Sequence, residues 1–159
     1  MKTARTIPIA ILSVVAVATF SLAGPFTHMF ELRQELQWRT DLNLAHNEAV
    51  QSNLPMLIMI DADWCPHCEK MSDSTFSDTS LIKYINESFI PVHLPLKGNE
   101  RVAEILDVER IPCSIALSPR ADLLGRVVGC VNTVQYRETL AKVRVLQARV
   151  EHELAVPPK

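Results

Sequence analysis

The sequence predicts an α/β domain: a central mixed β-sheet of about four strands flanked by helices, with a long helix at its N-terminal side. Three observations lead there. Apolar runs of strand length, at 56–60, 89–96, 114–117 and 123–128, alternate with stretches of helical period. The resulting order is helix, strand, helix, strand, helix, hairpin, helix, and such an order implies a layered mixed sheet. A pair of cysteines spaced two residues apart, Cys65 and Cys68, falls where the first strand turns into a helix.

Each element has its own signal. Lys2 and Arg5 precede an apolar run, Ile7 to Phe20, and Ser21-Leu22-Ala23 offers small residues for cleavage before Gly24. Residues 1–23 therefore read as a signal peptide or, uncleaved, as a membrane tether through residues 7–23. The run is short for a spanning helix, which needs roughly 20 residues. A domain over 24–154 and a tail over 155–159 follow. Leu32, Leu36, Leu42, Ala45 and Ala49 recur at mostly helical spacing and predict a helix from Phe30 to Gln51, stopped by Asn53-Leu54-Pro55.

Met56 to Ile60 is continuously apolar, as suits a central strand covered on both faces. Asp61-Ala62-Asp63 leads out of it. The helix that starts at the cysteine pair is expected to break between Ser72 and Ser77. Asp78 caps the next piece, with Leu81, Ile82 and Ile85 facing inward. Pro91 and Pro95 push the strand from Phe89 to Leu96 towards an edge. A short helix spans Asn99 to Leu106. A hairpin follows, turning at Pro119-Arg120-Ala121-Asp122. Asn132 or Thr133 caps a last helix running to about Leu154, with Tyr136, Leu140, Val143, Leu146 and Val150 as its apolar face.

The chain of 159 residues is long enough for one domain plus an export segment. Its net charge of -2 implies no strongly charged partner, and no basic stripe with interleaved aromatics points to nucleic acid. Export places the cysteines where disulfides form and persist. Four cysteines admit two structural disulfides. That reading fits Cys65 and Cys68 poorly, because so small a loop restrains the unfolded chain little. Reversible dithiol chemistry fits better. A helix N-terminus places partial positive charge and free N–H groups beside Cys65, favouring its thiolate, the attacking form.

Cys65 is thus the candidate nucleophile and is expected to be the more exposed sulfur, with Cys68 as the resolving thiol. His67, between them, favours the Cys65 thiolate further, most of all when protonated, and so makes the disulfide more oxidising. No cofactor is needed. A zinc or copper site is the alternative use of the pair, and it requires further ligands from Cys113, His67 or His93. Cys113 and Cys130 stand at opposite ends of the predicted hairpin. They are inert buried thiols or partners in a second disulfide, and sequence does not choose between these.

The segment Leu57-Ile58-Met59-Ile60-Asp61-Ala62-Asp63-Trp64-Cys65-Pro66-His67-Cys68-Glu69-Lys70-Met71 resembles the active-site segment of thioredoxin-fold proteins. Arg110-Ile111-Pro112 before an apolar strand, then Gly125 to Gly129, resembles their second landmark. The similarity runs from about Phe30 to Leu146. Trp38 and the Glu69-Lys70-Met71 stretch with Phe76 resemble the exported thioredoxin-like group related to disulfide interchange proteins. Pro66-His67 is the dipeptide of a periplasmic disulfide oxidase whose large helical insertion is absent here.

The resemblance implies a thioredoxin-like fold and a thiol–disulfide oxidoreductase acting on protein thiols. The catalytic residues would be Cys65, Cys68, His67 and Pro66. Substrate would rest on Trp64, Ile111, Pro112 and Gly129, with Pro112 in a cis bond. Location in the periplasm or cell envelope and a membrane redox partner are implied as well. A non-catalytic adaptor of the same fold is the remaining alternative.

Two positions depart from the family. The buried aspartate expected six residues before the first cysteine is Met59, and the family's partner lysine falls at His93. His93 is therefore a candidate proton relay for Cys68. Cys113 replaces the small residue usual after the proline and, with Cys130, brings accessory thiols near the site.

Overall fold

The computed structural model describes residues 34–155. The expected export segment, 1–23, and the last four residues lie outside them. Along the chain run α1 (Leu42–Ser52), β1 (Met56–Asp61), α2 (Pro66–Ser74) with a 3-10 turn at Thr75–Ser77, α3 (Thr79–Ser88) and β2 (Ile90–Pro95). Then come α4 (Glu100–Ile105), β3 (Cys113–Leu117), β4 (Leu123–Val128) and α5 (Thr133–Ala155).

The strand order is β2-β1-β3-β4. β1 runs parallel to β2 and antiparallel to β3, and β3 and β4 form the antiparallel hairpin. This is the four-stranded mixed sheet that the apolar runs predict. Its most apolar strand, β1, lies inside it, and the proline-bearing β2 lies at an edge.

Alternation along β1 sorts the core into two layers. Met56, Ile58 and Ile60 point to one face, with Val92, Ile115 and the alanines Ala45 and Ala49 of α1. Leu57 and Met59 point to the other, against Met71 of α2, Leu81 and Ile85 of α3, and Tyr136 and Leu140 of α5. Full burial of a side chain such as Ile58, Leu81 or Leu140 contributes about 1.5–3 kcal/mol. The break after α2 and the Asp78 cap of α3 stand where the sequence puts them. The Asp78 carboxylate accepts from the backbone N–H of Leu81 at 2.8 Å.

Two expectations need correction. The first is the long N-terminal helix. Residues 34–41 are not helical, and the helix is the eleven residues Leu42–Ser52. Within 34–41 the backbone of Arg39 bridges to the outer edge of β2. Its N–H donates to the carbonyl of Pro91 (2.9 Å), and its carbonyl accepts from His93 N–H (2.8 Å). An edge strand has backbone groups to satisfy, and this pairing outweighs the helical spacing of Leu36 and Leu42; residues 30–33 of the expected helix lie outside the described residues. The helix instead starts at its own cap. Asp41 accepts from the N–H groups of Asn43 and Leu44 at 2.8 and 3.0 Å.

The second correction is on α5. Tyr136, Leu140 and Val143 are buried as expected, but Leu146 is exposed and Gln147 takes the buried place. Gln147 fits because its amide is satisfied: Nε2 donates to the Asn53 carbonyl (3.1 Å), and Oε1 accepts from Arg144 (2.7 Å). Nearby, α5 approaches β4 closely enough that a Cβ on Gly125 would meet Val143 Cγ2 at 2.8 Å.

Candidate active site

Cys65 caps α2, and its sequence explains the placement. Extended backbone at Cys65 (φ -98°, ψ 106°) lets its side chain turn back on the helix. Pro66 takes the first helical position, where a missing N–H costs nothing. Cys65 Sγ accepts from the backbone N–H of Cys68 at 3.2 Å. The two cysteines are joined as a disulfide, their Cα atoms 5.3 Å apart. So the pair that spacing singles out does close into one small ring, at the tip of a helix.

Around this ring the structure gathers residues from three other segments. Ala62, Cys65 and Cys68 form a small apolar cluster on which Ile111 and Leu96 pack. Pro112, joined to Ile111 by a cis peptide bond, is buried. Its carbonyl accepts from the N–H of Gly129 at 2.7 Å, which fixes the loop after β4 beside it. Gly129 has φ +84°, a conformation that a side chain would strain. Pro66 and His67 are exposed on the first turn of α2.

Trp64 is 74% exposed, so it is not a core filler but a free aromatic surface next to the disulfide. The expected contrast in exposure between the cysteines does not appear: Cys65 is 6% exposed and Cys68 7%. The N-cap turn folds Cys65 inward against Ala62, whose carbonyl accepts from Cys65 N–H.

The accessory thiols do not meet. Cys113 and Cys130 are both free. Cys113 starts β3 in the core layer of Ile58 and Ile60, whereas Cys130 packs on the opposite layer, that of Tyr136. The sheet therefore separates them, although they end the same hairpin. Burial pushes the Cys113 thiol up, with Arg126 opposing. Among the described residues, no three His, Cys, Asp or Glu side chains are grouped to hold a metal ion.

Behind the disulfide lies a cavity of about 600 Å³. Cys68 lines it, together with Met59, Asp61, Trp38, Phe76 and His93. His93 Nε2 lies 2.8 Å from Asp61 Oδ1, and the Trp38 ring sits 5.7 Å from the imidazole. Sequence reasoning passed over Asp61 as a loop residue. The signal was the period of two: Asp61 follows Met59 on the same face of β1, and Met59 pairs with His93 in register.

The hydrogen bond to Asp61 holds His93 above the ordinary imidazole value of 6.5, with burial opposing. The sign for stability follows. A native value above the unfolded one favours the folded state most below about pH 6.5, and the gain is lost as pH rises through the raised native value. Urea unfolding of the wild type is accordingly expected to show stability falling across that window, and His93→Gln to flatten the fall. An equal slope in both proteins would refute the pairing.

The comparisons with known proteins agree with this architecture. The family model described as Thioredoxin-like domain matches residues 42–144, and the chain belongs to that family. Among solved structures, one described as DsbH Oxidoreductase superposes with a TM-score of 0.64 at 17% identity, covering 70% of this chain and 86% of that one. A thioredoxin from Thermus thermophilus gives 0.67 at 18% identity, covering 79% of this chain and 99% of that one. Mitochondrial thioredoxin 3 from Saccharomyces cerevisiae, in its oxidised form, gives 0.51 at 20% identity, covering 67% and 94%. At these identities the likeness is one of fold: a thioredoxin-like fold carrying a Cys-x-x-Cys disulfide. Among curated protein sequences none matches.

Proposed function

We propose that this chain is an exported thiol–disulfide oxidoreductase that exchanges disulfides with protein thiols through Cys65 and Cys68. One observation carries the reading: the two cysteines form a disulfide at the N-terminus of α2, with Ile111 packed on it and an exposed tryptophan next to it. The name of the structural neighbour described as an oxidoreductase supports the same class.

In the oxidising direction, a substrate thiolate attacks Cys65 Sγ. The Cys65–Cys68 bond breaks, Cys68 leaves as a thiolate and a mixed disulfide forms. A second substrate thiolate then attacks that bond, and the electron pair ends on Cys65. In the reducing direction Cys65 attacks and Cys68 resolves. Trp64, Ile111 and Gly129 form the surface on which substrate rests, with the buried Pro112 supporting it from beneath. His67 favours the Cys65 thiolate, which makes this protein a stronger oxidant than a thioredoxin. The basic and apolar leader over 1–23 supports export to the periplasm or cell envelope, a membrane redox partner, and a tether through residues 7–23 if it is not removed.

The test is Cys68→Ala in the full chain. With no resolving thiol, Cys65 is expected to retain substrates as mixed disulfides that migrate slowly without reductant and collapse with it. Identification of the trapped proteins gives substrates and direction together. Absence of any such species, with copper or zinc bound by the reduced wild type instead, would favour a metal-binding module. Absence of both would favour an adaptor.

A further inference from the structure

The fold treats the two edges of its sheet differently. The backbone of Arg39 covers the outer side of β2, but β4 ends the sheet on the other side, and among the described residues nothing pairs with its outer edge. Gly129 N–H and the Pro112 carbonyl form one rung of the β3–β4 ladder. Alternation from that rung leaves the backbone N–H and carbonyl groups of Arg126 and Val128 facing outward. An open strand edge is a template for another extended chain.

Beside that edge runs a groove of about 640 Å³ between β4 and α5. Leu124 and Gly125 line it from the strand, and Val145 and Leu146 from the helix. Val145 is 61% exposed, and Leu146 stands exposed next to it. Lys142 and Arg149 line the same groove, and among the described residues no carboxylate does. Helical spacing puts Lys142, Val145, Leu146 and Arg149 on one stripe. The two cations are seven residues apart. That is about 10 Å along the helix, roughly three residues of extended chain. Neither takes part in an ion pair among the described residues. The Arg126 guanidinium, by contrast, is already held by the carbonyls of Leu106 and Asp107.

We propose that β4 and α5 form a docking surface for an extended acidic segment of a partner protein. The segment adds to the sheet beside β4 and lays an apolar side chain, flanked by carboxylates, into the groove. Side chains alternate along a strand, so the pattern recognised is a carboxylate, any residue, an apolar residue, any residue, a carboxylate. The apolar side chain covers Val145 and Leu146, and the carboxylates pair with Lys142 and Arg149. Main-chain bonds to Arg126 and Val128 supply affinity, and the groove supplies the choice of sequence.

Charge decides between this occupant and the others. In a second copy related by a twofold axis between Val145 and Leu146, Lys142 would face Arg149 of the other copy and Glu138 would face Glu153. Like charges so placed repel. The chain's own segments outside the described residues lack the needed acid. Residues 1–33 carry Lys2, Arg5 and Arg33 against Glu31 alone, and residues 156–159 have no acidic side chain and two prolines without an N–H. β4 ends at Val128, one residue before Gly129, so a strand docked there leads towards the disulfide face. Only this last placement draws on the oxidoreductase reading.

The probe is a fluorescein-labelled peptide in which valine stands between two glutamates, one threonine separating each, with threonines at both ends. Anisotropy against the full chain is expected to show saturable binding, and the same peptide with lysines in place of glutamates none. Lys142→Glu combined with Arg149→Glu is expected to weaken binding about tenfold or more, with an unchanged far-UV circular dichroism spectrum. Methylating alternate amides of the peptide tests the strand pairing without touching the protein. One of the two alternate sets is expected to abolish binding and the other to spare it.

No saturable binding, equal binding by the lysine peptide or by the double variant, or equal effects of the two methylated sets overturns the proposal. Displacement of the peptide by vesicles of phosphatidylglycerol but not of phosphatidylcholine would assign the groove to a lipid surface. A wild-type dimer broken by Leu146→Asp would assign it to a second copy, and either result overturns the proposal too. None of these readouts involves thiol exchange, so their failure leaves the oxidoreductase reading standing, and failure of the Cys68→Ala trap leaves the docking surface standing.

Discussion

Cys65→Ser is expected to abolish disulfide exchange, lowering the rate by on the order of 10³-fold or more, because serine offers no anion at neutral pH to attack a disulfide and cannot be held in one. The geometry makes this a clean test. Serine differs by one atom and retains an oxygen that can accept the Cys68 N–H, so the cap of α2 survives. Loss of so short a loop costs little stability. Reduction of insulin, or oxidation of a reduced model peptide, reads the effect against unfolding curves that should nearly superpose. A variant that remains active would place the chemistry elsewhere, first of all at Cys113, which stands one residue beyond Pro112.

The second large effect is on folding. Tyr136 is fully buried where α5, the 3-10 turn and the sheet meet. Its ring meets Phe76 edge-on at 5.3 Å, and Phe76 in turn meets Trp38 at 5.8 Å. Its hydroxyl donates to Ser114 Oγ at 2.8 Å, and Ser114 donates to Met59 Sδ at 3.2 Å. Burial pushes the phenol far above its ordinary value, so it stays neutral. Tyr136→Ala is expected to cost about 3–5 kcal/mol, and Tyr136→Phe, which keeps the volume but strands Ser114, about 1 kcal/mol. Urea unfolding measures both. Equal losses in the two variants would mean that the hydrogen bond, not the packing, is what matters.

The sequence made the disulfide and the sheet readable because both rest on local rules. Two residues between cysteines fix their reach, and four-to-eight-residue apolar runs fix the strands. The misreadings come from long-range partners. The stretch around Arg39 has helical spacing yet pairs with β2, whose need for a neighbour is encoded some fifty residues away. Gln147 is polar yet buried, because its partner Asn53 stands at the end of α1. Asp61 looks like loop until β2 sets His93 next to it.

One of those misreadings carries a consequence for solubility. The margin of the sheet at β2 offers little for another polypeptide to zip onto. Pro91 and Pro95 have no amide hydrogen, and the backbone of Arg39 already occupies the groups flanking Val92. Edge-to-edge pairing of copies through that side, the opening move of fibril growth, is thereby discouraged.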